Sequence, residues 1–419
     1  MADQPEKKNI VVIGGGIIGC STAYFLTRHP SYNPATHTIT LLEASKIAGG
    51  ASGKAGGLLA LWAYPSNIVP LSYRLHAELA KEHNGEERWG YRRIHCGQLS
   101  AKGRPNSGST IGSDSKKNGG STDSVSLQKR TKEAVGLLRA AGVPTDLDWF
   151  APECIKSYDE MGDPDTTAQV HPYQFTTSMA ALAAEKGAKI LEHSPVQSIN
   201  YNADKSAIES ITYVPNGEDS QTPTTLPATT IILAAGPWTS TLLPQAPISA
   251  LRAHSIVIRP SRPVSAYALF TDIRAPSTAS KRSTTQILTP EIYARPNNEV
   301  YACGEGDVSI PLPRTSDLVA VDPARCDEIR AAVGAISDEL RDGDVTARQA
   351  CYLPNVRPGA GSSGPLVGWT GIEGLVLAAG HTCWGIQNAP GTGKCVSEFV
   401  FDGRATSAKI AGLDPRKAL

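Results

Sequence analysis

The fold is set by one stretch near the start of the sequence, Asn9-Ile-Val-Val-Ile-Gly-Gly-Gly-Ile-Ile-Gly-Cys-Ser-Thr-Ala-Tyr-Phe-Leu-Thr-Arg-His29. Its first part, Ile10 to Ile13, is β-branched and apolar, which is typical of a parallel strand buried on both faces. Gly14, Gly16 and Gly19 follow with the spacing G-x-G-x-x-G, and a helical pattern comes after them. The first glycine permits a tight turn, the second lets backbone approach a pyrophosphate, and the third lets the helix pack on the strand. The stretch therefore predicts a dinucleotide-binding strand, turn and helix.

A second strand follows, Thr38-Ile-Thr-Leu-Leu-Glu43, and it ends in an acidic residue. A carboxylate at this place in a dinucleotide-binding unit can bind a ribose hydroxyl. The alternative is a glycine-rich turn without a nucleotide, and the order strand, turn, helix, strand and acid argues against it. The candidate contacts in this unit are Gly14, Gly16, Ile17, Ile18, Gly19, Glu43, Ala44 and Ser45.

Three further segments are also rich in glycine: Ala48–Gly57, Ala234–Trp238 after an apolar strand, and the turn from Gly380 to Gly393 after another. Glycine permits close approach of backbone to a ligand. A flexible surface linker is the alternative for the first segment, and the apolar run Leu58 to Trp62 directly after it makes that less favourable. Because strand-to-glycine patterns recur at both ends of the chain, the nucleotide domain is expected to assemble from discontinuous segments.

Composition excludes several classes of protein. The 419 residues suggest two or three domains, and 40 acidic residues balance 40 basic ones, which argues against nucleic-acid or membrane partners. The eight cysteines form no C-x-x-C pair, so neither a metal site nor a disulfide scaffold is predicted. The first residues lack the apolar run of a signal peptide. We therefore expect a cytoplasmic location.

The middle of the chain has a different sequence pattern, which predicts structure outside the nucleotide-binding domain. Residues 251–310 hold short β-type runs separated by proline and glycine, which indicates an antiparallel sheet. Residues 101–126 are rich in Gly, Ser, Asn, Lys and Asp, which predicts a flexible, solvated insertion. A charged recognition loop is the alternative for that segment. Elsewhere the sequence pattern predicts a helix over 128–141, a strand over 188–199 and a helix over 327–340.

These four motifs, in this order, resemble the FAD-dependent oxidoreductases of the D-amino-acid oxidase, glycine oxidase and sarcosine oxidase family. The resemblance covers nearly the whole chain except residues 101–126, and the segments Gly53–Gly57 and His381–Lys394 are similar to a mostly fungal branch. It implies an α/β fold with a Rossmann-like FAD-binding domain and an antiparallel-sheet (α+β) substrate domain. The implied FAD-binding segments are 1–95, 165–247 and 352–419, and the implied substrate-domain segments are 96–164 and 248–351.

The resemblance also implies a cofactor site. The first strand–helix–strand unit would hold the ADP half of FAD, the loop at 50–57 would lie along the pyrophosphate and isoalloxazine, and the last turn would cover the N1–C2=O edge of the flavin. The implied contacts beyond the first unit are Gly50, Ala51, Ser52, Lys54, Ala55, Gly56, Gly57, Leu58, Val196, Ala235, Gly236, Trp238, Gly380, Gly385, Asn388, Gly391, Thr392, Gly393 and Lys394. The candidate catalytic residues, which would face substrate or flavin, are His381, Trp384 and Gln387.

Two departures from the family concern the substrate. Leu353 stands where glycine and D-amino-acid oxidases carry a carboxylate-binding Arg, and Gln387 falls where sarcosine oxidases carry a Lys. A buried carboxylate without a cation is costly, which argues against a simple α-amino acid as substrate. The candidate substitutes for the missing cation are Lys54, Arg295 and Arg357.

Cys351 lies where some relatives bond a cysteine covalently to the flavin. Two interpretations stay open: a covalent link, or an ordinary buried cysteine. We favour non-covalent FAD, because Tyr352 and Pro354 restrict the sulfur and no basic residue lies closer in sequence than Arg348.

The expected activity is flavin-dependent oxidation of a C–N bond in a small amine or amino-acid derivative. In the family a hydride passes to flavin N5, and O₂ is the expected acceptor. Two alternatives stay open. One is oxidation of a C–OH bond or transfer of electrons to another acceptor, and the other is a flavin-bearing interaction protein with little turnover.

Overall fold

A computed structural model of the chain describes residues 7–104, 136, 138–215, 222–276, 285–362 and 364–419. Most of the insertion predicted over 101–126, and most of the helix predicted from Gln128 to Ala141, lie outside these residues. The described strands are β1 (Lys8–Ile13), β2 (His37–Leu42), β3 (Leu58–Ala60), β4 (Arg92–Arg93), β5 (His95–Lys102), β6 (Ile155–Gly162), β7 (Thr167–Gln169), β8 (Lys189–Leu191), β9 (Val196–Tyr201), β10 (Ile208–Tyr213), β11 (Thr224–Pro227), β12 (Thr230–Leu233), β13 (Ile248–Arg259), β14 (Tyr267–Pro276), β15 (Thr285–Leu288), β16 (Glu291–Arg295), β17 (Glu299–Asp307), β18 (Asp344–Val356), β19 (Leu366–Trp369) and β20 (Leu375–Ala379). The described α-helices are α1 (Ile17–Leu26), α2 (Ala51–Lys54), α3 (Val69–Glu82), α4 (Gly85–Trp89), α5 (Pro172–Glu185), α6 (Thr239–Leu242), α7 (Pro323–Gly334), α8 (Asp338–Arg341) and α9 (Gly385–Asp402).

The first sheet has six strands in the order β19-β20-β12-β1-β2-β8. Strands β20, β12, β1, β2 and β8 run parallel, and β19 pairs antiparallel with β20. The two faces of β1 are both buried, since Ile10 and Val12 join one hydrophobic cluster and Val11 and Ile13 join another. This sheet confirms the α/β, Rossmann-like fold and shows why an unbroken apolar strand was required.

Helix α1 packs directly on the turn that precedes it. A Cβ built on Gly19 would lie 2.0 Å from the carbonyl oxygen of Gly14. The third glycine of the motif is therefore required for packing, as its position in the sequence predicts.

The second large sheet has eight strands, in the order β18-β13-β17-β16-β14-β5-β6 with β15 paired to β14. The antiparallel sheet predicted for 251–310 is present as β13 to β17. The sheet as a whole is mixed, because β5 joins β14 in parallel from a distant part of the chain. One face of this sheet packs on α7 and its neighbours around residues such as Ile292 and Ala302. The exact boundaries of the two domains stay a prediction.

Three local expectations are wrong. The helix predicted over 327–340 is two helices, α7 and α8, because the Ser337 side chain accepts a hydrogen bond from Leu340 N and starts a new helix. The strand predicted over 188–199 is divided into β8 and β9, with His193 at a φ of 50° between them. The last glycine-rich turn ends at Gly385, where α9 begins.

The later glycines of that segment serve helix packing. A Cβ on Gly391 would lie 2.4 Å from Ser72 Oγ in α3, and one on Gly393 would lie 2.7 Å from the Ser21 backbone in α1. Close approach of three helices, and not a turn, explains these two glycines. Among the described helices, none is long and apolar enough to cross a membrane.

Candidate functional site

A large cavity opens at the carboxyl ends of the parallel strands β1, β12 and β20. Its volume is about 1320 Å³, including its open mouth, and residues that follow the three strands line it, among them Gly14, Ala234 and Gly380. Ligands of open α/β sheets bind at this edge. The cavity is therefore the first candidate for a cofactor site.

The glycine turn shapes one wall of the cavity. Gly14 has a φ of +114°, and a Cβ there would lie 2.4 Å from the Ala234 carbonyl oxygen. Gly16, Ile17 and Ile18 line the cavity, so the N-terminus of α1 opens into it. The Ile17 N–H donates to Ser52 Oγ over 2.9 Å. A helix N-terminus beside a glycine turn suits a pyrophosphate.

Glu43 lies beside that turn, and both of its carboxylate oxygens are held. Oε2 accepts the Gly15 N–H at 2.7 Å, and Oε1 accepts the Ser45 N–H at 2.9 Å. Burial raises the pKa of Glu43, while the hydrogen bonds from Ser45 and Gly15 oppose that rise. The carboxylate is thus fixed at the cavity wall, where a ribose hydroxyl could donate to it.

The second and third glycine-rich segments leave open space in the cavity wall. The nearest atoms to a Cβ on Gly50 lie 3.9 Å away, and a Cβ on Gly236, whose φ is +53°, would meet nothing within 4 Å. The predicted site residues that line the cavity are Gly14, Gly16, Ile17, Ile18, Glu43, Ala44, Gly50, Ala51, Ser52, Ala55, Val196, Ala235, Gly236, Trp238, Gly380, His381 and Gly385.

His381 stands where the last turn meets the cavity. Its side chain is buried, and its Nε2 lies 3.0 Å from Thr392 Oγ1. Its Nδ1 has no hydrogen-bond partner among the described residues. Burial lowers the pKa of His381 to about 3, so the imidazole is neutral. A neutral ring with one unused nitrogen fits a site that a polar ligand edge completes.

The structure does not bring the remaining predicted residues to this cavity. They are Gly19, Ser45, Lys54, Gly56, Gly57, Leu58, Cys351, Trp384, Gln387, Asn388, Gly391, Thr392, Gly393 and Lys394. Several of them hold neighbouring elements in place. Gln387 Oε1 accepts the Ala60 N–H at 2.8 Å, and Asn388 Nδ2 donates to the Tyr64 carbonyl at 2.9 Å. Their roles toward a cofactor stay predictions.

Two of the three candidate cations are already engaged. The guanidinium of Arg295 is buried, donates to the carbonyls of Ala55 and Gly56, and lies over the Tyr301 ring. Lys54 Nζ donates to the Ala350 carbonyl at 2.9 Å.

Arg357 is the third candidate cation. It is exposed and lines a second cavity of about 540 Å³, which shares Gly380, His381 and Thr382 with the first. Within the described ranges its guanidinium makes no hydrogen bond or ion pair, so of the three candidates Arg357 is the one whose charge is free to approach a ligand.

Cys351 is buried in β18, two residues before Leu353, which lines the cavity. Burial raises the pKa of its thiol to about 11, against the lowering effect of the nearby Lys54 charge. A thiol with this pKa is protonated near neutral pH, which disfavours attack on a cofactor. The surroundings of Cys351 thus support the non-covalent interpretation.

One part of the cavity wall has no recognisable motif in the sequence. Residues 314–316, in the segment after β17, line it together with Ser194, Thr241 and Leu242. Trp238 Nε1 donates to the Pro313 carbonyl at 2.6 Å, and the hydroxyls of Ser45 and Ser316 lie 2.6 Å apart. These contacts join segments that are far apart in sequence, so only the tertiary structure shows them.

The family assignment follows from comparison with known proteins. The family of FAD-dependent oxidoreductases designated DAO matches residues 9–399. The chain belongs to this family. It is an FAD-dependent oxidoreductase, as the sequence motifs predict, and FAD is its cofactor.

Two yeast relatives and two solved structures extend the comparison. A Saccharomyces cerevisiae protein named as an oxidoreductase, TDA3, is 38% identical over 98% of this chain and 94% of its own length. A Schizosaccharomyces pombe protein named as an oxidoreductase is 36% identical over 99% of both chains. Glycine oxidase from Geobacillus kaustophilus (TM-score 0.68, 18% identity, 98% of both chains) and L-proline dehydrogenase from P. horikoshii (TM-score 0.65, 16% identity, 99% of this chain and 98% of the other) share the fold.

The residues of the cavity fit FAD. Gly50 and Gly236 leave room for a flat, charged ligand, and the α1 N-terminus with Gly16 lies beside them. Glu43, on the cavity wall, would accept a hydrogen bond from a ribose hydroxyl there, and the unpartnered Nδ1 of His381 would be available to a polar ring edge.

Proposed function

We propose that the protein oxidises the C–N bond of a small amine or amino-acid derivative, with O₂ as the final acceptor. In this reaction a hydride leaves the carbon next to nitrogen, and the nitrogen lone pair forms the C=N bond. Bound FAD supplies the hydride acceptor, and its reoxidation by O₂ yields peroxide. The protein's own residues position the two reactants and exclude water.

The observation that carries the choice of an amine is the neutral His381. Oxidation of an alcohol needs a base that takes the hydroxyl proton, and an effective base has a pKa near the working pH. Burial holds the pKa of His381 at about 3, so this imidazole is a weak base. An unprotonated amine needs no base in the hydride step, because its own lone pair assists loss of the hydride. An ammonium is a much stronger acid than an alcohol, so a weak base is enough to release the amine beforehand.

The residues around the cavity would divide the remaining tasks. The α1 N-terminus and Glu43 would hold the dinucleotide, as the fit of the cavity indicates. The segment 50–57 would support the flavin, and the eight-stranded sheet covers that segment through Tyr293, whose ring lies against Gly56. A substrate would then lie between the flavin segment and the sheet.

An aerobic assay with matched amines and alcohols tests this function. The FAD-loaded protein is incubated with pairs such as benzylamine and benzyl alcohol, while O₂ uptake and peroxide are recorded. We expect amines to be consumed with one peroxide formed per O₂. Consumption of alcohols alone, or of neither class, would refute the proposal.

A further inference from the structure

A row of side chains, half-buried except for the buried Ser255, crosses the eight-stranded sheet. Cross-strand pairing aligns these residues, which we call the polar row: Gln98, Phe270, Glu291, Cys303, Ser255 and Gln349. Gln349 Nε2 reaches the Lys54 carbonyl at 3.4 Å, and Tyr293, two residues after Glu291, contacts Gly56. The polar row therefore lies on the sheet face that covers the segment 50–57.

Glu291 is the one carboxylate in this row. Its Oε2 accepts hydrogen bonds from Tyr293 Oη and, at 3.8 Å, from Cys303 Sγ. Within the described part of the chain, it forms no ion pair with a Lys, Arg or His side chain. Burial raises the pKa of Glu291, against the two hydrogen bonds, because no cation compensates the charge.

Glu291 lies beside the cavity wall. Its cross-strand neighbours Phe270 and Cys303 pack in one hydrophobic cluster with Trp384. Trp384 stands in the chain between Cys383 and Gly385, which line the cavity. Enclosure raises the pKa of Cys383, a residue of the cavity wall, and the charge of Glu291 raises it further. An uncompensated carboxylate beside a cavity is costly unless a ligand cation pairs with it.

Aromatic side chains lead from the surface to this carboxylate. Trp62 is 37% exposed and packs edge-on against Trp384 at 5.6 Å and against Phe270 at 6.1 Å. Phe270 in turn packs on Tyr293 at 6.4 Å and pairs with Glu291 across the sheet. Aromatic faces attract ammonium groups, with cations bound within about 6 Å of the ring centroid.

We propose that the substrate is a cationic amine whose ammonium group binds Glu291, between the rings of Phe270, Trp62 and Trp384. This inference rests on the proposed amine oxidation and names its substrate class. The ammonium must lose a proton before oxidation, and the Glu291 carboxylate accepts it: an N–H bond breaks, an O–H bond forms, and the electron pair stays on nitrogen. The absence of the carboxylate-binding Arg and Lys of relatives is then expected, since this site recognises positive charge.

A binding titration separates this role from a purely structural hydrogen bond. The FAD-loaded protein is titrated anaerobically with benzylamine, benzyl alcohol and benzoate, three ligands of similar shape and different charge, and the flavin absorbance is followed. We expect the dissociation constant of benzylamine, obtained from the change in flavin absorbance, to be at least ten-fold lower than that of benzoate. Glu291→Gln should lower the affinity for benzylamine at least ten-fold and change the affinity for benzyl alcohol by less than two-fold.

Matched variants guard against a general loss of structure. Glu299→Gln alters a carboxylate of the same sheet about 13 Å along β17 from the partner of Glu291, and benzylamine affinity should stay within two-fold. Phe270→Leu should lower the affinity for benzylamine about three-fold and leave the affinity for benzyl alcohol unchanged, because it removes only the aromatic ring that attracts the cation. Flavin content of each variant reports its folding.

Three results would overturn the inference: benzoate binding more tightly than benzylamine, unchanged benzylamine affinity in Glu291→Gln, or no effect of benzylamine at all. The outcome is distinct from that of the proposed function. Glu291-dependent binding without oxidation of any amine would refute the function alone. Oxidation of amines that does not depend on Glu291 would refute this inference alone.

Discussion

Gly16 is the residue at which the cofactor and the backbone must come closest. A Cβ at this position would meet only Ser52 Oγ within 4 Å, at 3.1 Å, so the protein itself accepts a side chain there once Ser52 shifts by a few tenths of an ångström. We predict that Gly16→Val abolishes retention of FAD, because the branched side chain occupies the place of the pyrophosphate. The flavin absorbance of the purified variant measures this, and the thermal transition of the apoprotein should stay cooperative.

Gly412→Val is the matched control for Gly16→Val. Gly412 is exposed, and the nearest atom to a Cβ there lies 3.7 Å away. It should retain a full complement of flavin. Normal flavin content in Gly16→Val would contradict the assigned binding turn.

Cys351 allows a second test at the scale of one residue. Its buried, protonated thiol predicts that FAD is held without a covalent bond. Acid precipitation should leave all of the yellow colour in the supernatant. Cys351→Ser should keep its flavin and lose about 1 kcal/mol of unfolding free energy, because a hydroxyl replaces a buried sulfur. A flavin-labelled peptide that contains Cys351, detected by mass spectrometry, would show that this assignment is wrong.

At the scale of elements, α9 is tied to the chain that follows it through Glu398. The buried carboxylate accepts hydrogen bonds from Thr406 N, Ser407 N and Ser407 Oγ and pairs with Lys394 Nζ at 3.1 Å. Burial alone would raise the pKa of Glu398, but these donors outweigh it and lower the pKa from 4.5 to about 2. The folded pKa lies below the unfolded one, so the stabilisation is fully present above pH 4.5 and is lost as the pH falls toward 2.

Glu398→Gln should therefore destabilise the protein at pH 7 by about 3 kcal/mol, the free energy that corresponds to this pKa difference. The difference between wild type and variant should shrink as the pH is lowered from 4.5. Urea unfolding at several pH values measures it. Glu185→Gln, at an exposed carboxylate of α5, should change stability by less than 0.5 kcal/mol, roughly the usual limit for surface changes. A stability difference between wild type and variant that stays constant from pH 7 to pH 3 would show that the ionised Glu398 carboxylate is not its origin.

The elements themselves show what a sequence can and cannot predict. Strand β1 and the turn at Gly14 and Gly16 were predictable, because burial on both faces and a tight turn leave local patterns. Gly391 and Gly393 were assigned to a turn, although they lie in α9. Glycine serves a turn and a close helix contact equally well, so the local pattern could not distinguish the two.

At the scale of the whole molecule, the family and the cofactor followed from four motifs, while the substrate side of the site did not. The wall at 314–316 and the polar row consist of residues from separate strands, which only cross-strand register brings together. Glu291 has no motif around it, and its meaning depends on Phe270 and Cys303 beside it. Such a constellation is visible only once the sheet is formed.

Anaerobic reduction of the flavin tests the central claim most directly. The FAD-loaded protein is mixed with a cationic amine in the absence of O₂, and the oxidised flavin band is followed. We expect the band to bleach with one equivalent of amine and to return on admission of O₂, with peroxide as product. A band that bleaches only with an alcohol, or that stays oxidised with every amine tested, would contradict it.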